Sequence, residues 1–139
     1  MEEVSDTARV LLAEDDDAMR VMLCTVLARS GFEVTPCENG RAMLRELERA
    51  EREGHTPDVI VSDVCMPGAS GLDVAHASRR VLPEVPLILI TAFGDDHTHE
   101  RAKALGAMAV LNKPFDLRDF RRLVQDAVAA TRPRERGEA

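Results

Sequence analysis

The sequence contains no tryptophan, no tyrosine and only four phenylalanines in 139 residues, so no tryptophan fluorescence can report on it. It has no surplus of positive charge. Twenty-five acidic residues against 18 basic ones give a formal net charge of −7, which speaks against non-specific nucleic-acid binding, since that needs a basic face. It has no long apolar run. The most apolar stretch, Leu87 to Phe93, is far too short to span a bilayer. The acidic start, Met1-Glu2-Glu3-Val4-Ser5-Asp6, has no apolar h-region and so shows no secretory signal. Cysteine is scarce: Cys24, Cys37 and Cys65 are odd in number, lack CxxC spacing and each lie in or beside an apolar segment. They read as reduced, structural thiols of a cytosolic protein. Neither His nor Cys clusters at tetrahedral zinc spacing. Gly68-Ala69-Ser70-Gly71 lacks the Gly-Lys-Ser/Thr ending of a phosphate loop and reads as a turn. There is no internal repeat. What remains, 45% apolar and 31% charged, is the composition of one globular domain.

The stretch Val59-Ile60-Val61-Ser62-Asp63-Val64-Cys65-Met66-Pro67 organises that domain. An apolar run ends on an aspartate, and a Met-Pro break follows. Asp58 to Asp63 therefore reads as a buried strand carrying a carboxylate at its carboxyl end, where open α/β sheets bind ligands. Similar short strands are expected over Arg9 to Ala13, Phe32 to Cys37, Leu87 to Thr91 and Met108 to Asn112. Pro36 suggests that the second of these lies at a sheet edge. Helices fill the intervals. Met19, Met22, Leu23, Val26 and Leu27 recur at helical spacing, with Asp16 or Asp17 as N-cap and Gly31 as the stop. Asn39 caps a second helix to about Glu53, with Leu44 and Leu47 inward. A third runs from about Leu72 to Leu82. A fourth, from about Asp96 to Leu105, has the weakest apolar face and is expected to be the most mobile. Asp116 caps a fifth with Leu117, Phe120, Leu123, Val124, Ala127 and Val128 on one stripe. Residues 1–8 read as a disordered leader and 131–139 as a charged, disordered tail. Five alternations of strand and helix, with strands apolar almost throughout, predict an α/β fold with a parallel sheet.

In a parallel sheet every strand carboxyl end lies on one edge. Glu14 and Asp15, Asp63, Thr91 and Lys113 therefore converge. Like-charged carboxylates about 4 Å apart repel by about 4 kcal/mol at an effective dielectric of 20, more than Lys113 alone can offset. A divalent cation can offset it. One or two carboxylates plus waters, with room for a phosphoryl oxygen, is the pattern of Mg²⁺ rather than calcium. A carboxylate beside a cation, a lysine and a hydroxyl suits acceptance of a phosphoryl group, with Asp63 as nucleophile and Thr91 hydrogen-bonding a phosphoryl oxygen.

Leu12-Ala13-Glu14-Asp15-Asp16, Asp63-x-x-Met66-Pro67-x-x-x-Gly71, Leu89-Ile90-Thr91-Ala92 and Lys113-Pro114-Phe115 together resemble the receiver domains of two-component response regulators. The match covers about residues 9–130. The resemblance implies a flavodoxin-like (βα)5 three-layer sandwich with a five-stranded sheet of order 2-1-3-4-5. It implies that Asp63 is the phosphoacceptor, that Asp15 is a direct metal ligand and Glu14 holds a metal-bound water, and that the Cys65 backbone carbonyl completes the Mg²⁺ site. Thr91 matches the switch hydroxyl and Lys113 the family's lysine, followed by a cis peptide to Pro114. Two departures stand out. Val110 occupies the position where the family often has an aromatic residue that swings inward with the hydroxyl, so the usual coupling is in doubt. Cys65 and Phe93 occupy the slots flanking the phosphoryl group, and neither orients a hydrolytic water strongly, which predicts a long-lived phosphoform.

The resemblance further implies a stand-alone cytoplasmic switch rather than an enzyme. A histidine kinase or phosphotransfer protein would donate the phosphoryl group. The surface of the fourth helix, fifth strand and fifth helix would change, and an unknown downstream protein would read it, with no direct nucleic-acid or membrane contact. The charges of the fifth helix, Arg118, Asp119, Arg121 and Arg122, suit either a monomer or a phosphorylation-dependent dimer. A haloacid-dehalogenase-type phosphatase uses similar groups but needs a second acid two residues after its nucleophile, where this chain has Cys65. A third reading is an unphosphorylated scaffold, which the intact acidic pair, Asp63, Thr91 and Lys113 oppose, though Val110 keeps it open. Asp95-Asp96-His97-Thr98-His99 could suggest metal binding, but histidines two apart do not share a helix face, so the stretch reads as a solvated helix start.

Overall fold

The computed structural model describes residues 7–92 and 94–131. Five strands alternate with five helices: β1 Arg9–Ala13, α1 Asp17–Arg29, β2 Glu33–Cys37, α2 Gly40–Glu53, β3 Val59–Asp63, α3 Gly71–Val81, β4 Leu87–Thr91, α4 Asp96–Ala104, β5 Ala109–Asn112 and α5 Leu117–Thr131. All strand pairs are parallel, and the sheet order is β2-β1-β3-β4-β5. This is the expected flavodoxin-like three-layer sandwich, with Pro36 on an edge strand as its missing N–H requires. Among the described residues, no helix is long and apolar enough to cross a membrane.

Strand parity divides the core. Leu11, Ala13, Ile60, Leu87 and Leu89 face one side and pack with Met43 and Leu47 of α2, Val74 and Ala75 of α3, and Ala102 of α4. Val10, Leu12, Val59, Val61, Ile88 and Ile90 face the other, against Leu23 and Leu27 of α1 and Phe120, Val124 and Ala127 of α5. Both faces of the central strands are covered, which is why β3 and β4 are apolar without alternation. Fully burying each such side chain stabilises the fold by roughly 1.5–3 kcal/mol.

Asp16 caps α1, accepting from the Met19 N–H at 2.8 Å. Gly31, at φ 92, takes the left-handed conformation after the C-cap. Asn39 caps α2, and Ser70 and Asp73 form a capping box at α3. In α1 one expectation fails: Met22 is 41% exposed. The buried stripe centres between Leu23 and Leu27, and at 3.6 residues per turn Met22 lies about 120° round from that line. α2 buries Met43, Leu47 and Ala50, with Leu44 only half-buried. α4 fully buries only Ala102.

The leader and tail expected at the chain ends lie outside the described residues over 1–6 and 132–139, as does position 93. Ala8 does not belong to a loose leader: it is buried, and its carbonyl accepts from the Glu33 N–H at 2.9 Å. The cysteines are unpaired. Cys37 is buried, and that burial pushes its thiol up to about 12. Cys65 is exposed, so it is not the structural thiol expected of it.

Candidate functional site

Register brings the polar strand ends together. Ala13 pairs with Ser62, so Glu14 stands level with Asp63. Asp63 pairs with Ile90, and Thr91 with Asn112, which sets Lys113 one step beyond. Backbone bonds extend the ladder past the strand ends: Val64 N–H to the Ile90 carbonyl and Lys113 N–H to the Thr91 carbonyl, both at 2.8 Å. Thr91 is buried and shares the sheet side of Leu87 and Leu89, which α4 covers. The Lys113–Pro114 peptide is cis, as expected.

Asp63 is buried and fully engaged. Its Oδ1 accepts from the Cys65 N–H at 3.0 Å, and its Oδ2 accepts from Lys113 Nζ at 2.7 Å. Behind it, a side chain at Gly71 would collide with the Asp63 carbonyl and the Val64 Cα. Only glycine lets the start of α3 approach that closely. Glu14 is also buried. Its Oε2 accepts from the Asp16 N–H at 3.1 Å. Lys113 Nζ comes within 3.3 Å of Oε1 without the alignment of a hydrogen bond, leaving that oxygen buried and unbonded. Burial, with the neighbouring Asp63 charge, pushes the Glu14 carboxyl up to about 7. For Lys113, burial works against the ammonium, but Asp63 and Glu14 outweigh it and hold its pKa above the ordinary lysine value.

Asp15 stands exposed at the rim, and ligand oxygens of Glu14, Asp15 and Asp63 all lie within 4.8 Å of one another. Three carboxylates at that spacing face one ammonium. The unbonded Glu14 oxygen is the kind of donor a cation completes, and an all-oxygen set suits a hard divalent ion.

Two contacts escaped sequence reasoning. Arg20 of α1 donates to the Glu14 carbonyl at 2.8 Å and to Asp17 Oδ1 at 2.6 Å. The only signal for it was Asp17-x-x-Arg20, a common surface pair. His99 of α4 is within 2.9 Å of Asn112 Oδ1, so it is tied to β5 and is not merely solvated. His97 and His99 belong to no metal-ligand group among the described residues.

The sequence matches the response regulator receiver domain over residues 10–125. The chain belongs to that family. The transcriptional regulatory protein PdtaR of Mycobacterium tuberculosis is 38% identical over 126 residues, covering 89% of this chain and 58% of its own length. The regulatory protein AtoC of Escherichia coli is 34% identical over 120 residues, covering 86% of this chain and 25% of its own. This receiver thus spans between a quarter and somewhat over half of those relatives. Among solved structures, chemotaxis protein CheY4 of Vibrio cholerae superposes with a TM-score of 0.77 at 29% identity, covering 87% of this chain and 98% of that one. A receiver domain protein from Methanospirillum hungatei reaches 0.84 at 19% identity over 93% and 99%, a likeness of fold alone.

Proposed function

We propose that this receiver is a phosphorylation-controlled signalling switch whose acceptor is Asp63. One observation carries the reading: a buried aspartate at a strand end, held by Lys113 at 2.7 Å, with two further carboxylates within 4.8 Å. A histidine kinase or phosphotransfer protein presents a phosphohistidine. A carboxylate oxygen of Asp63 attacks phosphorus, the P–N bond breaks, and the imidazole leaves with the electron pair. Lys113, already on Oδ2, supplies positive charge where the phosphoryl oxygens arrive. The Thr91 hydroxyl hydrogen-bonds one of those oxygens. Mg²⁺ would be held by Asp15, Asp63 and the Cys65 carbonyl, with Glu14 holding a bound water; when present it neutralises the phosphoryl charge.

Because Thr91 and Lys113 flank β4 and β5, their repositioning is felt by α4, β5 and α5. A conformer favoured by a few kcal/mol is enough to shift the population. The named relatives include a transcriptional regulatory protein, a regulatory protein and a chemotaxis protein, so similarity leaves the downstream protein open. The reading makes the chain a switch that catalyses only its own phosphoryl transfer and dephosphorylation, acting in the cytoplasm where kinases meet reduced thiols, as a monomer or a phosphorylation-dependent dimer.

The test is intact-protein mass after incubation with Mg²⁺ and acetyl phosphate. One added phosphoryl group on the wild type, absent from Asp63→Asn and absent with chelator, is the expected result. No addition to the wild type under any condition would reject the switch in favour of a constitutive scaffold.

A further inference from the structure

The position of Arg20 calls for an account. It precedes Leu23 and Leu27 by three and seven residues, which sets it on the buried stripe of α1 where an apolar residue is expected. Its side chain is only 18% exposed. A charged group drawn inward is unfavourable unless it is partnered, and Arg20 is partnered in a way that bears on the acidic rim. One guanidinium nitrogen donates to the carbonyl of Glu14, and the other is neutralised by Asp17.

The loop it grips carries Asp15. That residue's side chain makes no hydrogen bond or ion pair with any described residue, so only the backbone on either side places it. On the far side, Asp16 is held as the α1 N-cap through Met19. On the near side, the Glu14 N–H donates to the Cys37 carbonyl at 3.1 Å, and the Glu14 carbonyl accepts from Arg20. The Glu14 carbonyl belongs to the peptide unit that joins Glu14 to Asp15. Arg20 therefore fixes the plane from which Asp15 projects.

We propose that Arg20 is a positioning residue of the cation site, orienting Asp15 through the Glu14 carbonyl. The proposal rests on the receiver reading above, in which Asp15 ligates Mg²⁺. It makes a prediction of unusual sign. A guanidinium bonded to the Glu14 carbonyl should, as a bare charge, repel Mg²⁺, so its removal should tighten binding. As a positioning group, its removal should loosen binding, because residues that orient metal ligands typically govern affinity by about tenfold or more.

The experiment is calorimetric titration of the full chain with MgCl₂, comparing wild type with Arg20→Ala and Arg20→Lys. It is paired with the Mg²⁺ dependence of phosphorylation by acetyl phosphate. The expected result is an Mg²⁺ Kd raised about tenfold in Arg20→Ala and by less in Arg20→Lys, which keeps a donor. The phosphorylation rate should return towards wild type at saturating Mg²⁺, since Asp63 and Lys113 are untouched. If Arg20→Ala does not fold, Arg20→Lys carries the comparison. An Mg²⁺ affinity equal to or tighter than wild type in a folded variant overturns the proposal, as does a lower rate with unchanged Mg²⁺ dependence. A wild type that binds no Mg²⁺ instead overturns the Mg²⁺-dependent switch reading itself, so the two failures are distinguishable.

Discussion

At the scale of single residues, the site is a set of oxygens whose neighbours were chosen for charge, except at Cys65. Its backbone N–H serves Asp63 while its thiol stands exposed two residues along. A thiol is a weak hydrogen-bond donor and acceptor, whereas a carboxamide offers both strongly. Replacing Cys65 by Asn should therefore give an attacking water a partner beside the phosphoryl group and speed dephosphorylation severalfold. Timed intact-mass measurements after removal of the phosphodonor would check this, and an unchanged half-life in Cys65→Asn would leave the long-lived phosphoform without its physical basis. Asp63, Thr91 and Lys113 were readable in the sequence because each ends or directly follows a strand, and strand ends converge by topology. Arg20 was not, because its role depends on a helix rotation that composition does not fix. The same uncertainty misplaced Met22: five apolar residues spread over a wide arc of α1, and only packing decides where the centre of the stripe falls.

At the scale of elements, two close approaches decide how the strands and helices hold the site. The first is Gly71 at the start of α3, seated against the Asp63 carbonyl. Gly71→Ala should force the β3–α3 connection outward, destabilise the fold by about 1–3 kcal/mol and slow phosphorylation of Asp63. A thermal melt and an acetyl-phosphate time course would show it, and an alanine variant with wild-type behaviour in both would remove glycine's role there. The second is Phe120 of α5, which is fully buried with its ring 5.8 Å from that of Phe115, just beyond the Lys113–Pro114 peptide. Phe120→Ala should cost about 3–5 kcal/mol by denaturant unfolding, and a loss under 1 kcal/mol would mean that α5 is not the lid of this core. The elements themselves were legible wherever the pattern was unambiguous. β3 and β4 are largely apolar runs bounded by proline, glycine or acid, and α2 carries its Asn39 cap in plain sequence, whereas the Ser70–Asp73 capping box of α3 lay hidden in what read as a turn. α4 was legible as a weak helix, but its tie to β5 through His99 and Asn112 was not, since a polar pair thirteen residues apart leaves no periodic trace.

At the scale of the whole molecule, the site sets stability against pH and metal. Glu14 titrates near 7 in the fold against an ordinary value of 4.5, so the folded chain holds a proton that the unfolded chain releases. The stability this contributes is complete below about 4.5, fades as pH rises through 7 and is absent above it. Lys113 is raised too, but from an ordinary value of 10.5, so its contribution is full at neutral pH and lost only in strong alkali. Between pH 5.5 and 8, then, Glu14 dominates, and in chelator the protein should be less stable at pH 8 by on the order of 1–3 kcal/mol. Glu14→Gln should flatten that slope, and an unchanged slope in the variant would refute the assignment. On the proposed reading Mg²⁺ acts in the opposing direction, because it would bind the ionised carboxylates of the folded chain only. At a hundredfold excess over its Kd it should add about 2.7 kcal/mol, a rise in Tm on the order of 10 °C. The rise should be larger at pH 8 than at 5.5, since protons compete for the same oxygens. Melting curves of wild type and Asp15→Asn, at both pH values and with Mg²⁺ or chelator, would separate the two effects: the variant should keep the pH slope of Glu14 and lose most of the rise with Mg²⁺. A full rise in Asp15→Asn would place the cation elsewhere than at the rim of this sheet.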